Sequence, residues 1–407
     1  MPGCRGGSSK LEISSETNSI RSIILRFYAS WSAHRKLRAD VLRAAANIIR
    51  CRTEQLGSHF ESCDCGQLAK IEFNSCRHRS CPQCQGGRRA DWLKKTTDDL
   101  LPCDHAHIIF TVPEQLNVLW QFNRDLFADL LMTAARRSLE ELLADPKYLG
   151  AKPGIICALH TWGRNLSIHP HVHCLVTAGG VDAEGRFIRA KRSTLLPYRV
   201  LHAKFRGKLC DFLKKAVTSG KLVIPPLMTA AKCHSLLNRM GRIRWNVRQQ
   251  ELYRHGVSVA GYLARYMSGG PIPDKRIVSV TDSEIVFLYR DHRDGVEKKM
   301  KLTPHEFLDR WFEHVPPRAL RTIRRSGLYA NPCRKVRQAI CAQLEPELSS
   351  QAASEPRAAA TRVSSLDRER CPRCNTCVTI RQVYRPPVIF IPKRGVRVAE
   401  FAISRPP

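Results

Sequence analysis

Three histidines alternate along the run His169-Pro-His-Val-His173, and this short pattern constrains the fold more than any other part of the sequence. Side chains on a β-strand point alternately to its two faces, so the three imidazoles share one face while Val172 and Cys174 take the other. Imidazole nitrogens bind divalent metals readily. The run therefore predicts a rigid strand that holds a metal ion through His171 and His173.

A second strand is predicted beside this one. The segments Gly154–Thr161 and Leu166–Thr177 predict two strands joined by a turn, which places His160 across the hairpin as a candidate third ligand. Such a set of imidazoles leaves coordination positions open for a phosphate oxygen, as a Lewis-acid catalyst requires. Mg²⁺ prefers oxygen ligands and imidazole suits Mn²⁺ better, so the sequence leaves the choice between these two ions open.

Two tyrosines, Tyr262 and Tyr266, lie four residues apart in a segment that predicts a helix over about 257–268. That spacing places the two phenols one above the other on one helical face. Beside a metal that polarises a phosphate, two aligned phenols are suited to cutting and rejoining DNA through a phosphotyrosine. Aromatic pairs at this spacing are more often part of a core, but Val259 and Leu263 offer this helix another packing face.

Seventeen cysteines, clustered rather than spread, favour thiolate metal sites in a reducing compartment over a disulfide framework. The spacing Cys81-Pro-Gln-Cys84 is typical of a zinc knuckle, and thiolates select Zn²⁺ over hard cations. Four thiolates close a site, so this zinc is expected to be structural. The predicted zinc ligands are Cys63, Cys65, Cys76, Cys81 and Cys84, with Cys51, His59 and His78 also within reach of one or two ions.

A second cysteine cluster lies near the other end of the chain. It contains Cys371, Cys374 and Cys377, which have the spacing of half a metal site. The sequence shows no fourth ligand for it, so whether this cluster binds a metal stays open.

The formal net charge of +31 favours a polyanionic partner, above all nucleic acid. A membrane surface is the alternative, but no run approaches the roughly 20 apolar residues that span a bilayer. No secretory signal opens the chain, so we expect a cytoplasmic, nucleoid-associated protein with no membrane partner. A solvated helix face usually interleaves acids, and residues 318–337 contain none. The predicted DNA contacts are Arg265, Arg318, Arg321, Arg324, Arg325, Arg334, Lys335 and Arg337.

The order of predicted elements is strand, long helix over 114–144, two strands and then further helices, which favours an α+β fold with an antiparallel sheet. We predict five regions from the composition. They are a flexible start and helical basic arm (1–50), a zinc-binding domain (51–95), a catalytic domain with the tyrosine helix (96–295), a basic helical DNA-binding segment (296–345), and a linker with a cysteine-containing basic tail (346–407).

These motifs resemble those of the rolling-circle transposases of the insertion sequence 91 family, within the His-hydrophobic-His (HUH) endonuclease superfamily. The resemblance covers about residues 25–345. The similar segments are Cys76–Cys84, His107–Pro113, His160–Gly163, His169–Cys174, Gly261–Tyr266, His314–Pro316 and Arg324–Ala330. The sequence departs from the family pattern at Cys63-Asp64-Cys65, where the family has Cys-x-x-Cys, and at Ser80, where the family has histidine.

The resemblance implies a ferredoxin-like catalytic domain that cleaves single-stranded DNA with Mg²⁺ or Mn²⁺ and keeps a structural Zn²⁺. Tyr262 or Tyr266 would form a 5′-phosphotyrosine link at the ends of a mobile element and transfer the strand to target DNA. The freed 3′-hydroxyl would engage the host replication machinery. Two alternatives stay open: a plasmid-type rolling-circle replication initiator, and a non-catalytic zinc-ribbon DNA-binding regulator.

Overall fold

The computed structural model describes residues 18–67, 69–191, 195–253, 257–264, 270–291, 294–351, 371–376 and 378–385. The chain divides into two compact units, and each is discontinuous in sequence. The large unit contains Met1–Ile49 and Arg77–Asp367, and the small unit contains Arg50–Cys76 and Arg368–Pro407. Cys371 and Cys374 therefore belong to the same unit as Cys63 and Cys65.

The α-helices in chain order are α1 (Ile20–Ser32), α2 (Ala39–Arg50), α3 (Gly86–Asp99), α4 (Asn117–Phe122), α5 (Arg124–Ala144), α6 (Tyr198–Thr218), α7 (Ala230–Met240), α8 (Val257–Ala264), α9 (Pro304–Glu313) and α10 (Arg334–Gln351). The β-strands are β1 (Ser58–Ser62), β2 (Ala69–Phe73), β3 (His105–Thr111), β4 (Lys152–Trp162), β5 (Ile168–Val181), β6 (Phe187–Arg189), β7 (Val247–Tyr253), β8 (Ile277–Val280), β9 (Ile285–Arg290), β10 (Glu297–Leu302), β11 (Ile323–Gly327) and β12 (Thr379–Tyr384). None of the helices in these described ranges has the length and hydropathy to cross a membrane.

The large unit is built on an antiparallel sheet with strand order β11-β4-β5-β3-β7, and β6 pairs with β5. The central strands β3 and β5 carry β-branched and aromatic residues that fit a sheet buried on both faces. The prediction of an α+β fold with an antiparallel sheet is confirmed.

One face of this sheet packs against α5, α6 and α7. Val172, Cys174 and Phe110 from the strands share a buried cluster with Leu131 of α5 and Phe205 of α6. This is the apolar face that the alternation of the histidine run predicts. The imidazoles therefore point to the opposite face.

The predicted long helix over 114–144 is wrong in one detail, because two helices form there. The break lies at Asn123, whose backbone has φ −133° and ψ 39°. Its side-chain amide donates to the carbonyls of Leu119 (3.0 Å) and Val223 (2.8 Å) and accepts from the Val223 amide at 2.7 Å. An asparagine side chain can compete in this way with the hydrogen bonds of a helix. Asn123 therefore separates α4 from α5.

The opposite face of the sheet is covered by α8, α10 and the segment after β11. Ile156 and Leu175 of the sheet share a buried cluster with Val259 and Leu263 of α8 and with Tyr329. Tyr329 is fully buried, and its hydroxyl lies 2.6 Å from His105 Nε2. This arrangement places the helix that carries Tyr262 on the imidazole face.

Part of the segment predicted as basic and helical forms a strand instead, since Ile323–Gly327 pairs as β11 with β4. Gly327 ends this strand with φ 58°. A Cβ at that position would lie 1.8 Å from the Pro153 carbonyl oxygen, so only glycine fits there. The next α-helix after this strand is α10, which begins at Arg334.

Strands β8 and β9 form an antiparallel hairpin, and β10 extends it to three strands. Helix α9 follows this sheet in the chain. Thr303 caps the helix by accepting from the Glu306 amide at 3.2 Å, with Pro304 in its first turn. The aromatic ring of Trp31 in α1 stacks on Phe312 of α9 at 4.9 Å, which anchors the N-terminal helices in the large unit.

Candidate metal centre and nucleophile helix

Three histidines converge on one face of the central sheet. His160 of β4 lies directly across from His171 of β5, and His173 is the next residue on the same face. Each of the three can offer one ring nitrogen, and these nitrogens lie within 4.8 Å of one another. His160 and His173 are each 2% exposed. The structure thus brings together the two ligands that the sequence predicts and the third candidate.

The histidines are held as neutral bases. Burial and neighbouring His169 together lower the pKa of His171 to about 3, and burial also lowers the pKa of His173 and of His160. His171 Nδ1 donates to the His169 carbonyl at 2.6 Å, which leaves the lone pair on Nε2. A neutral imidazole whose other nitrogen donates to a carbonyl is the usual state of a metal ligand.

His107 and Gln250 fix the orientation of His173. His107 Nδ1 donates to Gln250 Oε1 at 2.7 Å, and His107 Nε2 therefore accepts from His173 Nδ1 at 2.8 Å. This order leaves the lone pair of His173 on Nε2. Burial lowers the pKa of His107, which keeps it neutral for this role. The sequence does not single out either residue for this role, although His107 alternates with His105 on β3 as the ligands alternate on β5.

The turn between β4 and β5 is fastened by His314. His314 Nε2 donates to the Leu166 carbonyl at 3.1 Å, and Nδ1 lies 3.3 Å from Thr161 Oγ1. Leu166 has φ 64°, an unusual conformation for a branched side chain, so the turn depends on such outside contacts. His314 thereby fixes the hairpin that carries His160 and His171.

The helix that carries Tyr262 is α8. Val259 and Leu263 are 2% and 0% exposed and pack on the face that bears the histidines, so they are the packing residues of this helix as the sequence predicted. Tyr262 lies on α8, but its side chain is outside the described part of the structure. Arg265 and Tyr266 also lie outside the described residues.

The cysteines predicted as zinc ligands fall in different places. In the small unit, the Cys76 amide lies 3.5 Å from Cys51 Sγ. In the large unit, Cys81 is buried and Cys84 half-buried just before α3. Cys63 and Cys65 lie elsewhere in the small unit, with their sulfurs 3.5 Å apart.

The two histidines considered as zinc ligands have other contacts. His59 Nδ1 lies 2.9 Å from Asn74 Oδ1, and its Nε2 lies 3.1 Å from Glu61 Oε1. His78 Nδ1 accepts from the Ser80 amide at 3.2 Å.

The basic residues predicted to contact DNA divide into two groups. Arg324 pairs with Asp129 at 2.6 Å, and Arg325 pairs with Asp99 at 2.5 Å. Arg337 is 8% exposed and donates to two backbone carbonyls. The exposed group consists of Arg318, Arg321, Arg334 and Lys335.

Comparison with known proteins gives two family matches and two relatives. A family described as "Putative transposase" matches residues 154–337, and a "Transposase zinc-binding domain" matches residues 23–112. The chain is 33% identical over 369 residues to "Putative transposase y4qJ" of Sinorhizobium fredii, covering 88% of this chain and 92% of that protein. It is 29% identical over 319 residues to "Transposase for insertion sequence element IS801" of Pseudomonas savastanoi pv. phaseolicola, covering 77% of this chain and 74% of that protein.

No solved structure matches the chain. The transposase match spans β4, β5 and α8, and therefore contains all three histidines of the cluster and Tyr262. The zinc-domain match contains every predicted zinc ligand of the N-terminal segment. The chain belongs to the insertion sequence 91 family of transposases, with a transposase zinc-binding domain.

Proposed function

We propose that this transposase cleaves one DNA strand with a tyrosine hydroxyl at a divalent metal held by His160, His171 and His173, and then transfers that strand. The observation that carries the proposal is the convergence of three neutral imidazoles on the sheet face against which the helix of Tyr262 packs. The DNA substrates are the single-stranded ends of the mobile element and the target. The freed 3′-hydroxyl engages the host replication machinery.

The strand order supports a ferredoxin-like catalytic core. Four strands of the large sheet, β3, β4, β5 and β7, follow the sequence strand, helix, strand, strand, helix, strand. In space they lie in the order β4-β5-β3-β7, all antiparallel. This is the split arrangement in which a helix connection joins strands that are not neighbours. The histidines lie on its two adjacent strands β4 and β5.

The residues fit a divalent metal by the chemistry of their donors. The ring nitrogens of His171 and His173 that face the cluster carry lone pairs, because their other nitrogens donate to His169 and His107. Imidazole donors favour Mn²⁺ over Mg²⁺. A bound ion supplies Lewis-acid polarisation of the scissile phosphate, and three protein ligands leave positions open for it.

The chemical step is a transesterification by Tyr262 or Tyr266. The phenol oxygen bonds to phosphorus, the P–O3′ bond breaks, and the departing 3′ oxygen takes up a proton as the phenol loses one. The product is a 5′-phosphotyrosine that conserves the energy of the phosphodiester bond. Attack by a 3′-hydroxyl on this link reverses the bond changes and joins the strand to new DNA.

A structural zinc ion accompanies this chemistry. Cys81-Pro-Gln-Cys84 has the spacing of a zinc knuckle, so Cys81 and Cys84 are candidates for two of its ligands. The match of residues 23–112 to a transposase zinc-binding domain supports this assignment. Replacement of Cys84 by serine is expected to lower the tightly held zinc of the purified protein.

The test uses purified full-length protein, a single-stranded oligonucleotide from the element end, and Mn²⁺ or Mg²⁺. A denaturing gel should show a covalent protein–DNA adduct that forms faster in Mn²⁺. The variant His171→Ala/His173→Ala should lose the adduct while it retains DNA, because the net charge of +31 supplies most of the affinity.

The matched control replaces two histidines outside the cluster, His202→Ala/His234→Ala, and should cleave as the wild type does. Cleavage at the wild-type rate by the His171→Ala/His173→Ala protein would overturn the metal assignment. DNA retention without any adduct in the wild type would favour a non-catalytic regulator.

A further inference from the structure

The small unit contains a second set of four cysteines, Cys63, Cys65, Cys371 and Cys374. The zinc-domain match ends at residue 112, so it does not account for the last two. All four sulfurs lie within 4.8 Å of one another. Cys65 and Cys371 are 306 positions apart in the sequence, yet their sulfurs lie 3.7 Å apart.

The sulfur spacing fits a tetrahedral ion. Cys63 Sγ lies 3.5 Å from Cys65 Sγ, and Cys65 Sγ lies 3.7 Å from Cys371 Sγ. A zinc ion with Zn–S bonds of about 2.3 Å sets its sulfurs about 3.8 Å apart. A disulfide needs an S–S length of about 2.05 Å, so these distances match shared coordination and not a disulfide.

Each cysteine pair sits in a turn that a left-handed residue closes. Gly66 follows Cys65 with φ 75°, and Asn375 follows Cys374 with φ 54°. In the first turn the Gly66 amide donates to the Cys63 carbonyl at 3.2 Å, and in the second the Asn375 amide donates to a cysteine carbonyl at 2.8 Å. These left-handed residues close each loop, so that both sulfurs of a pair face one point.

The sheet of the small unit holds the two turns against each other. Strand β12, which follows the second turn, pairs antiparallel with β1, which precedes the first, and Ser62 lies across from Thr379. The Asp64 amide donates to Thr376 Oγ1 at 3.2 Å. Asp64 also forms an ion pair with Arg381. Backbone and side-chain contacts thus align the pairs independently of any ion.

We propose that Cys63, Cys65, Cys371 and Cys374 bind one structural zinc ion, which clasps residues 371–385 to the β1–β2 hairpin. Four thiolates satisfy the ion and leave no open position, so this zinc stabilises the unit and takes no part in cleavage. The proposal does not depend on the DNA chemistry of the large unit.

The first test is the zinc content of full-length protein by elemental analysis after dialysis against a weak chelator. The variant Cys371→Ser/Cys374→Ser should hold about one zinc ion fewer per chain than the wild type. The matched control Cys333→Ser/Cys341→Ser, which changes two half-buried cysteines of the large unit, should hold as much zinc as the wild type.

The second test asks whether the two pairs share an ion. Native protein is treated with an alkylating reagent, and labelling of each cysteine is read by peptide mass spectrometry. Cys65 and Cys374 are the exposed and half-exposed members, so the metal protects them rather than burial. Cys374 should become labelled in Cys63→Ser/Cys65→Ser, and Cys65 should become labelled in Cys371→Ser/Cys374→Ser.

Loss of zinc in the serine variants could also follow from unfolding of the small unit. The variant Cys374→His separates the two causes, because histidine can replace a thiolate as a zinc ligand. It should retain the zinc and the protection of Cys65. Unchanged zinc content in Cys371→Ser/Cys374→Ser would overturn the proposal. So would continued protection of Cys374 in Cys63→Ser/Cys65→Ser.

Discussion

His107 Nε2 accepts a hydrogen bond from His173 Nδ1 at 2.8 Å, so a residue of β3 decides which nitrogen of His173 faces the metal cluster. Gln250 Oε1 completes the chain by accepting from His107 Nδ1 at 2.7 Å and from the Tyr253 hydroxyl at 2.8 Å. Residues of three adjacent strands therefore orient the single ligand His173, because β3 lies between β5 and β7. Orientation of a ligand by an outer partner is as much a part of a metal site as the ligand itself.

The variant His107→Phe is predicted to weaken metal binding roughly 10- to 100-fold, because it keeps the ring and removes both nitrogens that orient His173. Calorimetric titration of the full-length protein with Mn²⁺ measures the change. His202→Phe, which alters a histidine of α6, is the matched control and should bind as the wild type does. Equal Mn²⁺ affinity in His107→Phe and His202→Phe would show that His107 has no orienting role.

The variant Arg337→Ala is predicted to lower stability and to leave DNA binding unaltered. Its guanidinium donates to the Leu328 carbonyl at 2.9 Å and the Ala330 carbonyl at 3.0 Å, and its removal leaves the buried Leu328 carbonyl and the partly buried Ala330 carbonyl without this donor. The expected loss of unfolding free energy is about 2–3 kcal/mol. Chemical denaturation measures this loss, and a salt titration of DNA retention should give the wild-type slope.

The exposed pair Arg334 and Lys335 should behave in the opposite way. Arg334→Ala/Lys335→Ala is predicted to retain its stability within about 0.5 kcal/mol. The slope of log affinity for single-stranded DNA against log salt should fall by about 1.4, or about 0.7 for each lost phosphate contact. A wild-type slope in this variant would show that Arg334 and Lys335 do not contact the DNA.

The sequence reveals the strands and the imidazole face because alternation is a local pattern. His169-Pro-His-Val-His173 and its neighbours carry period two, and the structure places Val172 and Cys174 on the opposite face from the cluster. The packing of α8 through Val259 and Leu263 follows from helical spacing in the same way. Both depend only on residues within one turn or one strand.

Contacts between distant segments are what the sequence does not show. The partner of Cys371 and Cys374 lies some three hundred residues away, and no spacing rule links it to them. Arg324 and Arg325 look like a free basic run until β11 pairs with β4 and brings Asp99 and Asp129 beside them. The acidic residues that neutralise a basic segment need not lie in that segment.

Stability is predicted to fall as the pH falls from about 6.5 towards 4, partly through His314. Burial lowers the pKa of His314 to about 4, against the donor bond to the Leu166 carbonyl, which raises it. Between those pH values the unfolded chain binds a proton that the native imidazole does not, so unfolding is favoured as pH falls. Below pH 4 both states are protonated, and the contribution is constant.

The measurement is the unfolding free energy from urea titrations at pH 7 and pH 5. His314→Gln, which keeps a donor toward Leu166 and removes the titration, should lose about 2 kcal/mol less than the wild type between those values. His234→Gln, on α7, is the matched control and should follow the wild type. An identical pH dependence in wild type and His314→Gln would show that His314 does not titrate in this range.

Both Tyr262 and Tyr266 are predicted to act as nucleophiles in the complete reaction, while either suffices for a single cut. Residues four apart on a helix differ by about 40° in direction and by roughly 6 Å in height, so both phenols can serve one phosphate site in turn. Phenylalanine keeps the ring and removes the hydroxyl, which separates chemistry from packing.

Tyr262→Phe and Tyr266→Phe should each reduce transposition in cells by more than tenfold yet still form a covalent adduct with the oligonucleotide. Only the double variant should lose the adduct entirely, and Tyr148→Phe serves as the control with normal transposition. Normal transposition by either single variant would mean that one phenol suffices for every strand transfer, and that this transposase needs only one tyrosine.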